Sequence, residues 1–142
     1  MKVSLVETTE SLQGAAKILL HLRLHYSLET LITQIEKQQT QGYQLVMAEL
    51  DGKPACVAGF IYGENLAWGK FLYVDDLVTA EDCRSKGAGK AIIDWLKQHA
   101  QEAGCKELHL DSGVQRKDAH RFYEREGMIA TGLHFAVTDL SA

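Results

Sequence analysis

Two aspartates, Asp75 and Asp76, stand side by side inside an otherwise apolar, β-branched and aromatic run from Phe71 to Thr79. Carboxylates in such a run are costly unless they are solvated, paired or put to use. Shortly after comes Arg84-Ser85-Lys86-Gly87-Ala88-Gly89. A helix that starts on glycines offers first-turn amides with no internal partner, the positive end of its dipole, and room for an anion to come close. Arg84 and Lys86 add positive charge beside those amides, so the loop has the makings of a phosphate or pyrophosphate seat. It is not a P-loop, because G-x-x-x-x-G-K-[ST] is missing. G-x-G-x-x-G is missing as well, with Ile92 at the third glycine position. Taken alone, the loop reads equally as a helix start with a glycine-rich turn and solvated charges.

Other chemistries find less support. His21 and His25 are four apart, a spacing two metal ligands could use on a helix, but no third ligand accompanies them and no metal is expected. Cys56, Cys83 and Cys105 are odd in number and form no C-x-x-C pair, which argues against a disulfide framework. Cys83 reads as a small packed residue rather than a nucleophile. The net charge of -4 opposes phosphate-backbone binding and mildly favours cationic small partners, so nucleic acid is not expected. No apolar run approaches a membrane span and the first residues are not a signal peptide, so no membrane association and a cytoplasmic location are the expectations.

The elements that must position these groups follow from periodicity. The chain has 142 residues, 46% hydrophobic and 24% charged, which suits one globular domain spanning 1–142 with its own core. Lys2 to Glu7 alternates and reads as a strand. Thr8 or Thr9 caps a helix with Leu12, Ala15, Ala16, Leu19 and Leu22 on one face, and Ser27 caps a second with Leu28, Leu31, Ile32 and Ile35. Tyr43 to Glu49, Ala55 to Tyr62 and Trp68 to Thr79 are strands, joined by the hairpin signal Asp51-Gly52 and a turn at Gly63-Glu64-Asn65. A helix from Gly87 to Ala103, a strand from Glu107 to Asp111, a helix from Lys117 to Glu126 and a last strand near Leu133 to Thr138 complete an α/β sheet with helices on both faces. Within the strand before the loop, simple alternation puts Tyr73, Asp75, Leu77 and Thr79 on one face and Val74, Asp76 and Val78 on the other.

Three segments in order carry a resemblance. The strand Val74 to Thr79 runs into the R-x-x-G-x-G loop, E-L-H-L-D-S follows at Glu107 to Ser112, and Ala119 to Met128 reads A-H-R-F-Y-E-R-E-G-M. The loop resembles the pyrophosphate-binding motif of the GNAT superfamily, the Gcn5-related N-acetyltransferases. The two strands resemble that family's fourth and fifth, and the last segment resembles its A-x-x-F-Y-x-x-x-G-F signature. The resemblance is sharp over Phe71 to Met128 and architectural elsewhere. It implies the GNAT fold, a mixed, mostly antiparallel twisted sheet of six to seven strands, and acetyl-CoA as co-substrate.

It also implies roles. Asp75 would be the base that takes the amine proton, directly or through water, with Asp76 as its structural partner. Backbone at Leu77, Val78 and Thr79 would hold the pantetheine arm and the acetyl oxygen. Arg84, Ser85, Lys86, Gly87, Ala88, Gly89 and Lys90 would hold the pyrophosphate. Tyr123 would protonate the leaving sulfur, while Phe122 reads as core. Many family members carry asparagine where this chain has Arg116, which could reach a phosphate instead. The implied activity is N-acetylation of a primary amine, a small molecule rather than a histone-like tail, by direct transfer in a ternary complex. A homodimer is compatible with this reading. A non-catalytic acyl-CoA sensor or interaction module is the alternative. His21, Arg23, His25, Tyr26, Glu29 and His134 are candidates to border the acceptor site.

Overall fold

The computed structural model describes residues 1–141. Five strands form one sheet in the spatial order β1-β2-β3-β4-β5, with ranges Lys2–Leu5, Gln44–Leu50, Lys53–Asn65, Gly69–Thr79 and Glu107–Leu110. The first four are antiparallel neighbours, and β5 runs parallel to β4. The helices are α1 (Thr9–Leu19), α2 (Leu28–Gln39), α3 (Ala88–Glu102) and α4 (Lys117–Arg125). Met1–Leu110 is one compact unit, and a second begins at Asp111.

Local sequence accounts for the first two helices. Thr8 and Ser27 each accept a hydrogen bond from the third helical amide, and Ser11 and Thr30 return one to the cap's own amide, so both helices begin with a closed capping box. Leu12, Ala15, Leu19, Leu31 and Ile35 then pack on Leu45, Met47 and Val57 of the sheet. The intervening sheet residues point the other way, as the pleat requires. There Ile92, Ile93 and Leu96 of α3 are fully buried and the Trp95 ring meets Phe60 edge-on at 5.9 Å. Helices therefore cover both faces.

Two expectations are corrected. Gly63-Glu64-Asn65 is not a turn: β3 continues through it, and the chain reverses at Leu66–Trp68, where the Trp68 amide donates to Asn65 Oδ1 at 2.7 Å. Gly63 instead makes room for a cross-strand partner, since a Cβ there would lie 2.4 Å from the Phe71 ring. The sheet has five strands among the described residues, not six to seven. The apolar alternation of Leu133 to Thr138 makes no ladder there, and a strand exists only by pairing with a neighbour.

Candidate active site

A bulge in β4 sets the geometry. Gly59 of β3 faces Asp76, but the next residue, Phe60, faces Val74, so Asp75 is an extra residue without a cross-strand partner. The bulge resets the alternation. Leu72 and Val74 stay buried in register with Tyr62 and Phe60, while Asp76 and Val78 lie in register with Gly59 and Val57. Val74 therefore does not share a face with Asp76 and Val78, contrary to strict period-two reading. Both aspartates instead line one pocket of about 390 Å³, whose other walls come from α1, α2, their connection and Tyr43 just before β2.

The two carboxylates are treated differently. Asp76 is held at both oxygens: Arg23 Nε and Nη2 reach Oδ1 at 2.8 and 2.7 Å, and the Tyr43 hydroxyl donates to Oδ2 at 2.6 Å. Arg23 also donates to the Asp75 carbonyl at 3.0 Å, fixing the bulge. Burial and the Asp76 charge push the Tyr43 hydroxyl far above the usual phenol range, so it stays a donor. The Asp75 side chain accepts no hydrogen bond among the described residues. Partial desolvation and the neighbouring Asp76 charge raise its pKa above the ordinary carboxylate value, with Arg23 pulling the other way. One carboxylate is thus anchored at both oxygens, and the other is left without a side-chain partner among the described residues and with its pKa raised above the ordinary carboxylate value.

The same point of β4 is where the sheet opens. Pairing with β5 runs from Phe71↔Glu107 to Val74↔Leu110 and stops, while β4 continues to Thr79. Leu77, Val78 and Thr79 pair with Ala58, Val57 and Cys56 on the β3 side, and β5 covers none of them on the other. Thr79 also donates its hydroxyl to Cys56 Sγ at 3.4 Å. Burial pushes the Cys56 thiol up to about 11, which makes it a poor nucleophile.

A short turn, Glu81–Cys83, leads from β4 into the glycine loop and is tied to the start of β3 by a 2.6 Å ion pair between Lys53 and Asp82. Cys83 is buried there, as its packing role requires. Ser85 and Gly87 both have positive φ, +63° and +85°, and Gly87 is the residue immediately before α3. Backbone of that handedness turns successive amides toward one concavity. Unlike α1 and α2, α3 has no side-chain cap and no acidic residue in its first turn. Arg84, Ser85, Lys86 and Gly87 are exposed, whereas Ala88 is buried and Lys90 pairs with Asp94 at 3.0 Å. Nothing lies within 4 Å of where a Gly87 Cβ would stand. The loop therefore presents open, uncapped amides flanked by two exposed cations, which fits a phosphorylated co-substrate.

Tyr123 and Arg116 belong to the second unit. Arg116 precedes α4 and makes no side-chain cap. Its own amide donates to the Gly113 carbonyl at 3.0 Å, and His120 Nε2 donates to the same carbonyl at 2.8 Å. Phe122 and Tyr123 are half-buried with rings edge-to-face at 5.5 Å.

Of the residues expected around the acceptor, Arg23, His25 and Tyr26 line the pocket; His21 and Glu29 are exposed outside it. His134 lies in the second unit, 3.4 Å from Asp111. Sequence reasoning missed Tyr43, Gly59, Gln34 and Gln38. A Cβ on Gly59 would lie 1.7 Å from the Tyr43 oxygen, so this glycine makes the Tyr43–Asp76 bond sterically feasible. A glycine inside a strand was its visible signal, since it marks a close approach. Among the described residues, no helix is long and apolar enough to cross a membrane.

Comparison with known proteins identifies the family and the fold. Residues 10–128 match the model of the acetyltransferase (GNAT) family. The chain is 36% identical over 107 residues, 75% of each chain, to the uncharacterized N-acetyltransferase YhdJ of Bacillus subtilis. It is 35% identical over 54 residues to the aminoalkylphosphonate N-acetyltransferase of Salmonella typhimurium, a match covering 38% of this chain and 35% of that one. A solved aminoglycoside N-acetyltransferase in complex with CoA superposes with a TM-score of 0.85 over 98% of this chain and 95% of the other, at 12% identity, a likeness of fold.

Proposed function

This chain belongs to the acetyltransferase (GNAT) family, and on that footing we propose that it moves an acetyl group from acetyl-CoA to the primary amine of a small molecule by direct transfer in a ternary complex. The observation that carries the reading is the coincidence, at one point of β4, of the bulge that frees Asp75 and the end of β5 pairing. An amine bound in the pocket would meet a free carboxylate beside an unpaired strand edge. The family match spans residues 10–128, across both compact units, which supports treating 1–142 as one acetyltransferase domain.

The proposed steps assign each group one task. Backbone amides from Ser85 to Gly89, with Arg84 and Lys86, hold the pyrophosphate; Ala88 contributes by backbone and Lys90 by charge, and Arg116 supplies a further phosphate contact. Backbone at Leu77, Val78 and Thr79 takes the pantetheine arm and the acetyl oxygen. Asp75 accepts the proton of the attacking amine, and Asp76, fixed by Arg23 and Tyr43, holds Asp75 in place and keeps it basic. The new bond is C–N and the bond that breaks is C–S. Tyr123 gives its proton to the departing sulfur and is reprotonated from solvent. The products are the N-acetyl amine and free CoA.

An acceptor screen with acetyl-CoA, read by free-thiol release, tests the reading. Acetylation of at least one small primary amine is expected. Tight acetyl-CoA binding with no amine acetylated would leave a binding module instead.

A further inference from the structure

The pocket beside Asp75 has a second polar pole on α2. Gln34 and Gln38, one turn apart, both line it, and Gln34 Nε2 donates to Gln38 Oε1 at 2.9 Å. Two carboxamides joined this way leave one carbonyl oxygen and one NH₂ group over, whichever way round each amide is turned. Neither spare group takes another partner among the described residues, and both side chains are half-buried among Leu31 and Ile35. A ligand that covers them without bonding them leaves them desolvated and unpaired.

Apart from Asp75, the charges of the pocket are already engaged. Arg23, its permanent cation, is engaged by the Asp76 carboxylate and the Asp75 carbonyl. Both carboxylates stand on β4, and α2 contributes none to the lining. His25 and Tyr26, their rings tilted at 41° with centroids 4.3 Å apart, are the other titratable groups, with the neutral Tyr43 hydroxyl turned onto Asp76. An anionic end on the acceptor would thus meet no free arginine or lysine of the lining, and a second ammonium would meet no carboxylate on the α2 side.

We propose that Gln34 and Gln38 form a specificity subsite for an acceptor amine whose far end carries an uncharged group that both donates and accepts hydrogen bonds, a carboxamide or a hydroxyl. The inference rests on the acetyltransferase reading of the same pocket. The ammonium end approaches Asp75, and the neutral end closes the bonding of the glutamine pair.

The test uses linear primary amines of equal length whose far end is carboxamide, hydroxyl, carboxylate, ammonium or methyl. Each is assayed by thiol release with acetyl-CoA and, separately, by NMR of the Gln34 and Gln38 side-chain amides in the CoA-bound protein. The carboxamide or hydroxyl member should exceed the other three in kcat/KM by about tenfold, the worth of one satisfied hydrogen bond. Which of the two leads identifies the group. In a folded Gln34→Leu/Gln38→Leu protein the advantage over the methyl end should fall to near one. Preference for the carboxylate or ammonium end, or an advantage that survives the double substitution, would overturn the proposal while leaving the acetyltransferase reading intact. Selective shifts of the two amides with no thiol release would support the subsite and remove the transfer reading. Release without preference, or no shift and no release, would sink the subsite.

Discussion

The Tyr43 hydroxyl and the Asp76 carboxylate, thirty-three positions apart in sequence, meet at 2.6 Å in a space left open by the missing side chain of Gly59. Asp76 is thereby anchored by a neutral donor on one oxygen and Arg23 on the other. Partial burial, and after it the neighbouring Asp76 charge, raises the Asp75 pKa above the ordinary carboxylate value. The contact ties the interior of the sheet to the carboxylate pair that lines the pocket.

Gly59→Ala should therefore act on both stability and chemistry. The new methyl cannot coexist with the Tyr43 oxygen 1.7 Å away. Overpacking of this kind costs roughly 1–3 kcal/mol. Urea denaturation should show a lowered midpoint at unchanged slope, and the acid limb of the rate profile should shift because Asp76 loses its donor. A midpoint equal to wild type would mean that Tyr43 has another place to go.

Asp75→Asn should trade activity for stability. Loss of a general base lowers the rate typically 10²–10⁴-fold. Because the folded-state pKa of Asp75 is raised, the native state holds the proton more tightly than the unfolded chain. Its contribution to stability is thus complete below the unfolded carboxyl pKa and is lost as pH rises through the folded value. At neutral pH the asparagine protein should melt above wild type, and the difference should vanish below about pH 4. Melting curves at both pH values, beside turnover with an accepted amine, check this; an asparagine protein less stable at neutral pH contradicts it.

Arg23→Gln removes the cation that pulls the Asp75 pKa down. The acid limb of kcat/KM should move to higher pH, the direction set by losing a positive neighbour. An unmoved limb would show that the titrating base is not Asp75.

Gly87→Val and Gly89→Val should weaken CoA binding by tenfold or more in calorimetry, with the fold retained by circular dichroism. At position 87 the valine also opposes a φ of +85°. Desulfo-CoA should compete with acetyl-CoA, because recognition lies in pyrophosphate and pantetheine. Unchanged affinity in both folded variants would remove the basis for a phosphate seat here.

Tyr123→Phe should slow turnover by about 10²-fold or more, the range for losing a general acid, while leaving CoA affinity nearly unchanged. A thioester with a more acidic leaving thiol should recover part of the loss. Wild-type turnover in this variant would assign the proton to another group.

Much of this protein was legible in residue order. The capping residues Thr8 and Ser27, the apolar stripes of α1, α2 and α3, the Asp51-Gly52 reversal and the R-x-x-G-x-G loop are local patterns, and each is governed by bonds and packing within a few residues. The aspartate pair announced itself for the same reason, as charge in an apolar run.

Other features were decided only in three dimensions. The bulge that sets Asp75 out of register depends on how β4 is paired to β3, and register is a property of two strands, not one. Simple alternation therefore placed Val74 with Asp76 and Val78, and the structure does not. Gly63 was read as a turn because glycine permits turns, but its function is to admit the Phe71 ring. Tyr43, Gln34 and Gln38 carry no local mark of function. A tyrosine just before a strand and glutamines on a helix come to line one pocket only when α1 and α2 pack on the sheet. Which groups could do chemistry is written in residue order; which carboxylate is anchored, which is free, and what surrounds them follow from contacts between residues far apart along the chain, such as Arg23 and Tyr43 on Asp76.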